Sequence, residues 1–277
     1  MHFLILGYGF SGYYCAKKLL DDGHQVTAIS RNYREDYSLN KLQHICSDVR
    51  KLNINFKPNG IIYCAPPPSE GAYDTLLTET LAELARKNLV ANIVYWGSSG
   101  VYGDHLGGWV DEGSVCHIDV DIQRRRLDAE KKIQSFAKTN KIMWSVLRVA
   151  GMFGPGRMPS TANSVIYLNE APYSNLVYVE DVAYVATQAV LKNKTVGMLN
   201  VSDGLPKKMG TLQRIVANHK GDTLTEQSYE EVMKSASPMR RYFLGASKRL
   251  SNSKCLSIFP EIVFADFEKT VIKCLIK

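Results

Sequence analysis

Apolar and polar positions along the first two-thirds of the chain switch repeatedly between a strand period and a helix period. Residues 2–6 form a short apolar run, and residues 13–20 then follow an amphipathic helical pattern. Further strand patterns fall at 25–29, 44–46, 60–64, 92–96 and 142–147. The fourth is stopped by Ala65-Pro66-Pro67-Pro68, because successive prolines cannot continue a central strand. Helical patterns occupy 73–87 and 121–139. Loop signals dominate from 151 to 173, followed by a helix at 180–192, a strand at 198–201 and two helices at 211–219 and 265–275. Strands that alternate with helices predict an α/β fold around a parallel sheet.

One junction carries chemistry. The first strand runs directly into Gly7-Tyr8-Gly9-Phe10-Ser11-Gly12, a G-x-G-x-x-G in its required setting after a strand and before a helix. Gly7 allows the sharp turn, Gly9 lets backbone amides approach a pyrophosphate, and Gly12 lets the helix pack closely on the strand. Free N–H groups and the helix dipole favour negative charge at that end, so Gly7, Gly9, Phe10, Ser11 and Gly12 are expected to hold a dinucleotide. The fold class is therefore a doubly wound parallel sheet of the Rossmann type. The second strand ends near Ser30, where sites selective for NAD place an acid on the ribose hydroxyls. Here stand Ser30-Arg31-Asn32, and an arginine can pair with a 2′-phosphate in fork geometry. NADP is expected over NAD.

Composition narrows the partners. A chain of 277 residues with 45% hydrophobic and 22% charged positions can build one substantial core or a core domain with a smaller lobe. No apolar run approaches the roughly 18 residues that cross a bilayer, and the start lacks the basic-then-apolar plan of a signal peptide. The six cysteines are scattered without a C-x-x-C pair, which favours reduced thiols over a metal site or a disulfide framework and points to the cytoplasm. The charge of +7 is spread without a long basic block, so it suits an anionic cofactor and gives no reason to expect nucleic acid.

Four later segments join the glycine loop in an ordered pattern: 96–103 (WGSSGVYG), 147–157 (LRVAGMFGPGR), 175–183 (NLVYVEDVA) and 199–203 (LNVSD). Together they resemble the extended short-chain dehydrogenase/reductases, the group that contains NAD(P)-dependent nucleotide-sugar epimerases and dehydratases, from residue 1 to about 203. The resemblance implies that Asp48 and Val49 contact the adenine and that Cys64, Ala65 and Pro66 run past the cofactor. It implies that Ser98 bonds a substrate oxygen beside the nicotinamide; a turn-capping serine is the competing reading. Arg148 and the turn 154–157 match a segment that closes over cofactor and substrate. Tyr178, where histidine is frequent, is expected to support the fold.

The pattern breaks at the family's working pair, Tyr-x-x-x-Lys, in which lysine lowers the tyrosine pKa and tyrosine moves the proton. Literal matches at Tyr13/Lys17, Tyr14/Lys18 and Tyr37/Lys41 lie in the wrong places. At the pair's own position stand Arg126 for tyrosine and Glu130 for lysine. Arginine stays protonated and cannot act as an ordinary acid or base. Four apart on a helix, the two could pair with each other. Two readings follow: an NADP-dependent oxidoreductase or epimerase/dehydratase-like enzyme whose proton donor has moved, or an inactive NADP(H)-binding redox sensor. Candidate donors are Ser98, Ser99, Tyr102, Asp104 and His105, with Ser98 and Tyr102 foremost. Residues 1–150, completed by 175–203, are expected to bind the cofactor. Residues 151–174 and 204–277 form a small lobe for a small carbonyl or sugar-like substrate. Family members often dimerise through helices near 73–88 and 119–139, so a homodimer is plausible.

Overall fold

The computed structural model describes residues 1–158, 164–192 and 194–276. Seven strands form one sheet: β1 (His2–Leu6), β2 (Gln25–Ser30), β3 (Gln43–Cys46), β4 (Gly60–Tyr63), β5 (Asn92–Trp96), β6 (Trp144–Val149) and β7 (Gly197–Val201). Their order is β3-β2-β1-β4-β5-β6-β7. The pairings β1–β2, β2–β3, β1–β4, β4–β5 and β5–β6 are all parallel. The strand order reverses direction between β1 and β4, which opens the crevice where doubly wound sheets bind ligands.

The first four helices cover the sheet: α1 (Phe10–Asp21), α2 (Thr75–Arg86), α3 (Asp121–Asn140) and α4 (Val179–Leu191). Strand alternation sends Leu4 and Leu6 of β1 to one face, into a core with Leu77, Leu81 and Leu84 of α2 and Ala129 and Ile133 of α3. Phe3 and Ile5 point to the opposite face. There Ile5 meets α1 at Gly12, and Phe3 lies with Val190 of α4 around Gly60. Each fully buried leucine or isoleucine contributes about 1.5–3 kcal/mol of transfer free energy.

The chain divides into two compact units, each assembled from several stretches. The first comprises 1–101, 118–148 and 182–199, and the second 102–117, 149–181 and 200–277. The second contains α5 (Thr211–Lys220), α6 (Tyr229–Ser235), α7 (Pro238–Leu244), α8 (Ser253–Ile258) and α9 (Phe267–Ile276). Phe153, Leu212, Val216, Phe267 and Val271 make one of its cores, and Ile166, Ala171, Val232 and Leu244 belong to another.

The expected loop at 151–173 needs correcting. It holds Gly151–Phe153 and Ser164–Ile166, paired in parallel with Leu176–Tyr178 and Thr225–Gln227. Residues 159–163 of that loop lie outside the described residues. Tyr173–Ser174 pairs antiparallel with Lys207–Lys208, and Trp109–Val110 runs parallel to Arg249–Leu250. Strands of two or three residues are too short to express a period of two. Helices α6 to α8 were missed for the same reason, being two turns or less. Their start signals were present: Ser228 with Glu231 forms a reciprocal capping box, and Ser237 caps a helix with Pro238 in its first turn.

Candidate functional site

The loop after β1 shows three glycines doing three different things. Gly7 turns at φ +93°, a conformation that side chains disfavour, and a Cβ there would stand 2.2 Å from the Ala65 nitrogen. Backbone touches backbone at that point, joining the β1 loop to the end of β4. At Gly12 a Cβ would stand 2.9 Å from the Gly7 carbonyl oxygen and 3.3 Å from Ile5 Cγ2, so the absent side chain lets α1 sit down on the strand. Gly9 is different. Its φ of −140° is ordinary extended backbone, and a Cβ added there meets nothing within 4 Å. Neither conformation nor protein packing requires glycine at residue 9; its missing side chain keeps open the space at the start of α1. No side chain caps that helix, and its first turn contains no acid. Open space at an uncapped helix start fits a diphosphate. Phe10 and Ser11 begin the helix half-buried, with the Phe10 ring edge-on to Tyr14 at 5.4 Å.

The ends of the neighbouring strands line up beside this loop. Cys64 and Ala65 both donate their backbone N–H groups to the Leu6 carbonyl, at 2.7 and 3.0 Å, so β4 ends at Tyr63, one residue earlier than expected. Ala65 is buried, Cys64 half-buried and Pro66 exposed. The Cys64 thiol contacts that of Cys15, which burial pushes well up. At the end of β2 the Ser30 hydroxyl donates to the Asn32 carbonyl at 3.0 Å and lies 2.9 Å from His44 Nε2. Arg31 is exposed and makes no hydrogen bond or ion pair among the described residues. Past β3, Asp48 accepts from the Arg50 backbone at 2.9 Å and from its Nε and Nη2 at 2.8 Å each. That bonding, with a smaller contribution from Arg31, holds the carboxyl down at about 2. The Val49 side chain is buried in the core beside Leu4 and Ile29, so only its backbone faces outward duty.

The turn after β5 is fastened to α3. A Cβ on Gly97 would stand 2.9 Å from the Leu147 carbonyl oxygen, and its N–H donates to that oxygen at 2.8 Å. Ser98 is half-buried, and its hydroxyl accepts from the Gly100 N–H at 3.1 Å, the turn-capping bond; it donates to no acceptor among the described residues. Gln123 on α3 donates to the Gly100 carbonyl at 3.1 Å. One turn later Arg126 Nη1 donates to the Tyr95 hydroxyl at 3.2 Å and the Trp96 carbonyl at 3.4 Å. Burial pushes the Tyr95 phenol up to about 12, although Arg126 opposes the rise.

Three expectations are corrected here. Arg126 and Glu130 do not pair: Glu130 is fully buried and holds Arg148 of β6, with Oε2 accepting from Nη2 at 2.8 Å and Oε1 from Nε at 3.1 Å. The glutamate is spent on Arg148 across the helix–sheet interface, and Arg126 of its own helix acts on it only through its charge. Arg148, expected to close over ligands, is 4% exposed and serves that buried pair. Tyr102, one of the two foremost donors, is fully buried in the second unit and gives its proton to Asn200 Oδ1 at 2.7 Å. It packs. In the same unit Asp104 Oδ1 accepts from the backbone of Leu106 and Ser247, and the His105 ring lies against His117 at 4.7 Å. Ser99 is buried in the first unit. Tyr178 packs against Phe153 at 5.7 Å, and the turn at 154–157 is closed by reciprocal backbone bonds between Gly154 and Arg157. Tyr95 and Gln123 were not singled out from sequence; Gln123 precedes Arg126 by three, a spacing that places both on one helix face.

The sequence model of the NAD dependent epimerase/dehydratase family matches residues 3–202. The chain belongs to that family. No curated protein matches it. Among solved structures, a functionally unknown conserved protein from Silicibacter pomeroyi superimposes with a TM-score of 0.85 at 21% identity, covering 99% of this chain and 97% of that one. UDP-glucose 4-epimerase from Thermus thermophilus, in complex with NAD, gives 0.78 at 18% identity, covering 98% and 96%. UDP-N-acetylglucosamine 4-epimerase from Methanobrevibacter ruminantium, in complex with UDP-N-acetylmuramic acid, gives 0.78 at 16%, covering 99% and 98%. At these identities the likeness establishes the family's fold. Among the described residues no cluster of metal-ligating side chains occurs, and no helix is long and apolar enough to cross a membrane.

Proposed function

We propose that this member of the family binds NADP(H) and acts as an oxidoreductase or epimerase/dehydratase-like enzyme on a small carbonyl or sugar-like substrate, without a Tyr-x-x-x-Lys pair. The observation that carries the coenzyme is Gly9: glycine stands where the protein itself needs none, at the uncapped start of α1 beside the switch between β1 and β4. Gly7, Phe10, Ser11, Gly12, Cys64, Ala65 and Pro66 complete the cradle, and the backbone of Asp48 and Val49 borders the adenine. Arg31 supports the 2′-phosphate. It is a solvent-facing guanidinium at the end of β2 that makes no hydrogen bond or ion pair among the described residues, where an acid would serve NAD.

When bound, nicotinamide supplies or accepts a hydride. The residues of this chain orient the partner. Ser98 offers a hydroxyl with an uncommitted proton at the rigid end of β5, suited to hold a substrate oxygen. Residues 151–174 and 204–277, within the second unit, would supply the substrate lobe.

Calorimetric titration with NADP and NAD tests the coenzyme. NADP is expected to bind at least about tenfold more tightly, the worth of a charge-assisted contact, and Arg31→Asp to reverse the order. A clear preference for NAD overturns the 2′-phosphate assignment; no heat with either overturns the whole reading. A second reading, coenzyme binding without turnover, draws on the buried Glu130–Arg148 pair, which fills the lysine position with a group already spent. NADPH consumption with a carbonyl panel separates the two.

A further inference from the structure

Arg126 has a cost that the protein compensates only in part. Its guanidinium is half-buried, yet only Nη1 has partners, the Tyr95 hydroxyl and the Trp96 carbonyl, and both are neutral. No carboxylate lies within ion-pairing distance of it among the described residues. Glu130 and Asp74 are near enough to feel its charge, but Glu130 is held by Arg148, and Asp74 caps α2 through Oδ1, accepting from Leu77 at 2.9 Å, while its buried Oδ2 makes no hydrogen bond among the described residues. A partly desolvated cation whose hydrogen bonds go only to neutral groups gains from an anion in direct contact. Nε and Nη2 remain unspent, and they form the edge of the guanidinium that grips a planar carboxylate with two parallel bonds.

The location of that edge is set by two helix-to-turn bonds. Gln123 and Arg126, three residues apart on α3, fasten to the carbonyls of Gly100 and Trp96, four residues apart on the turn after β5. Ser98 lies midway between those two anchors. The guanidinium and the uncommitted Ser98 hydroxyl are thus brought to one short stretch of backbone at the carboxyl end of the sheet.

We propose that Arg126 is a specificity-determining residue that binds a carboxylate on the substrate, so that the substrate class is an oxo acid or hydroxy acid with the reacting carbon next to the carboxylate. The position that holds a proton-moving phenol elsewhere in the family holds here a fixed positive charge, which would orient the substrate and leave its oxygen to Ser98. This inference rests on the coenzyme reading above and names the substrate class for the same site.

The test uses the full chain saturated with NADP and two planar probes of similar size: oxalate, which is anionic, and oxamide, which is neutral. Calorimetry is expected to find oxalate bound at least about tenfold more tightly than oxamide, with Arg126→Gln abolishing that preference and Arg126→Lys keeping part of it. NADP affinity should stay within about twofold in both variants, because a role confined to tying α3 to the turn would not distinguish the two probes. Failure of oxalate to bind a chain that binds NADP overturns the inference, as does an unchanged preference in Arg126→Gln. If Arg126→Gln does not fold, Arg126→Lys decides alone: an affinity for oxalate equal to that of the parent chain, or no preference for it in the parent chain, overturns the inference. Failure to bind NADP itself overturns the coenzyme reading instead, and this inference falls with it.

Discussion

Glu130 illustrates how much a single side chain's environment decides. Its carboxyl lies in the core against Arg148, and burial pushes its pKa up although Arg148 opposes the rise. Glu130→Gln leaves a buried guanidinium without a counter-charge. It should therefore cost about 3–5 kcal/mol, read as a lowered midpoint in urea. Replacing both residues with methionine should cost far less, because two well-packed apolar groups need no partner charge. Glu130→Lys should be more damaging still, since it sets two cations together in the core. The sequence offered Arg126 as the partner because helical spacing reveals neighbours only on one helix. Arg148 is 18 positions further along, and the pair exists only once β6 has docked under α3.

At the scale of elements, the strand–loop–helix opening was fully legible. Its apolar run, its glycine spacing and its amphipathic continuation agree with one another and with the fold. Helix α1 begins at Phe10, three residues before its expected start, because its first turn packs on the strand through Gly12, which has no side chain to mark an apolar period. What spacing did not separate is why each glycine is there, and substitutions can. Gly7→Ala must bring a Cβ into the Ala65 backbone at positive φ and should destabilise the chain by several kcal/mol, on the order of ~3. Gly9→Asp, by contrast, gives α1 a favoured N-cap. Stability should hold or rise by up to about 1 kcal/mol while a negative charge at the helix start drives off the coenzyme. Thermal melts paired with NADP titration check both halves; a Gly9→Asp chain that still binds NADP as tightly as its parent would sink the diphosphate assignment. The second unit was less legible, because its short strands and two-turn helices are stabilised by partners far away in sequence.

For the whole molecule, buried charges set the dependence of stability on pH. Lys248 is 7% exposed, and burial brings its ammonium down to about 8; its Nζ donates to the Gly103 carbonyl at 3.0 Å. Between about pH 8 and the ordinary lysine range the unfolded chain holds a proton that the folded chain has released, so Lys248 makes stability rise with pH there. Asp181 works at the acid end. Burial raises it to about 6, the folded chain keeps a proton through the window from about 4 to 6, and stability falls as pH rises through it. Asp181 should therefore lower urea midpoints from about pH 4 to 6, and Lys248 should add a climb above about pH 8, set against the raised thiols of Cys15 and Cys255, which pull the other way there. Lys248→Met should remove the climb, and an unchanged alkaline limb would refute the assignment.

The interleaving of the two units has a consequence for how the protein is made. The backbone passes from one unit to the other after residues 101, 117, 148, 181 and 199. No single cut in the gene releases either unit whole. On the ribosome, β7, one of the sheet's two edge strands, is synthesised only after residues 1–196, and α9 of the second unit follows at Phe267–Ile276. A nascent chain stalled midway would carry an unfinished sheet edge with open N–H and C=O groups. Translation speed and chaperone cover across that interval thus become determinants of yield.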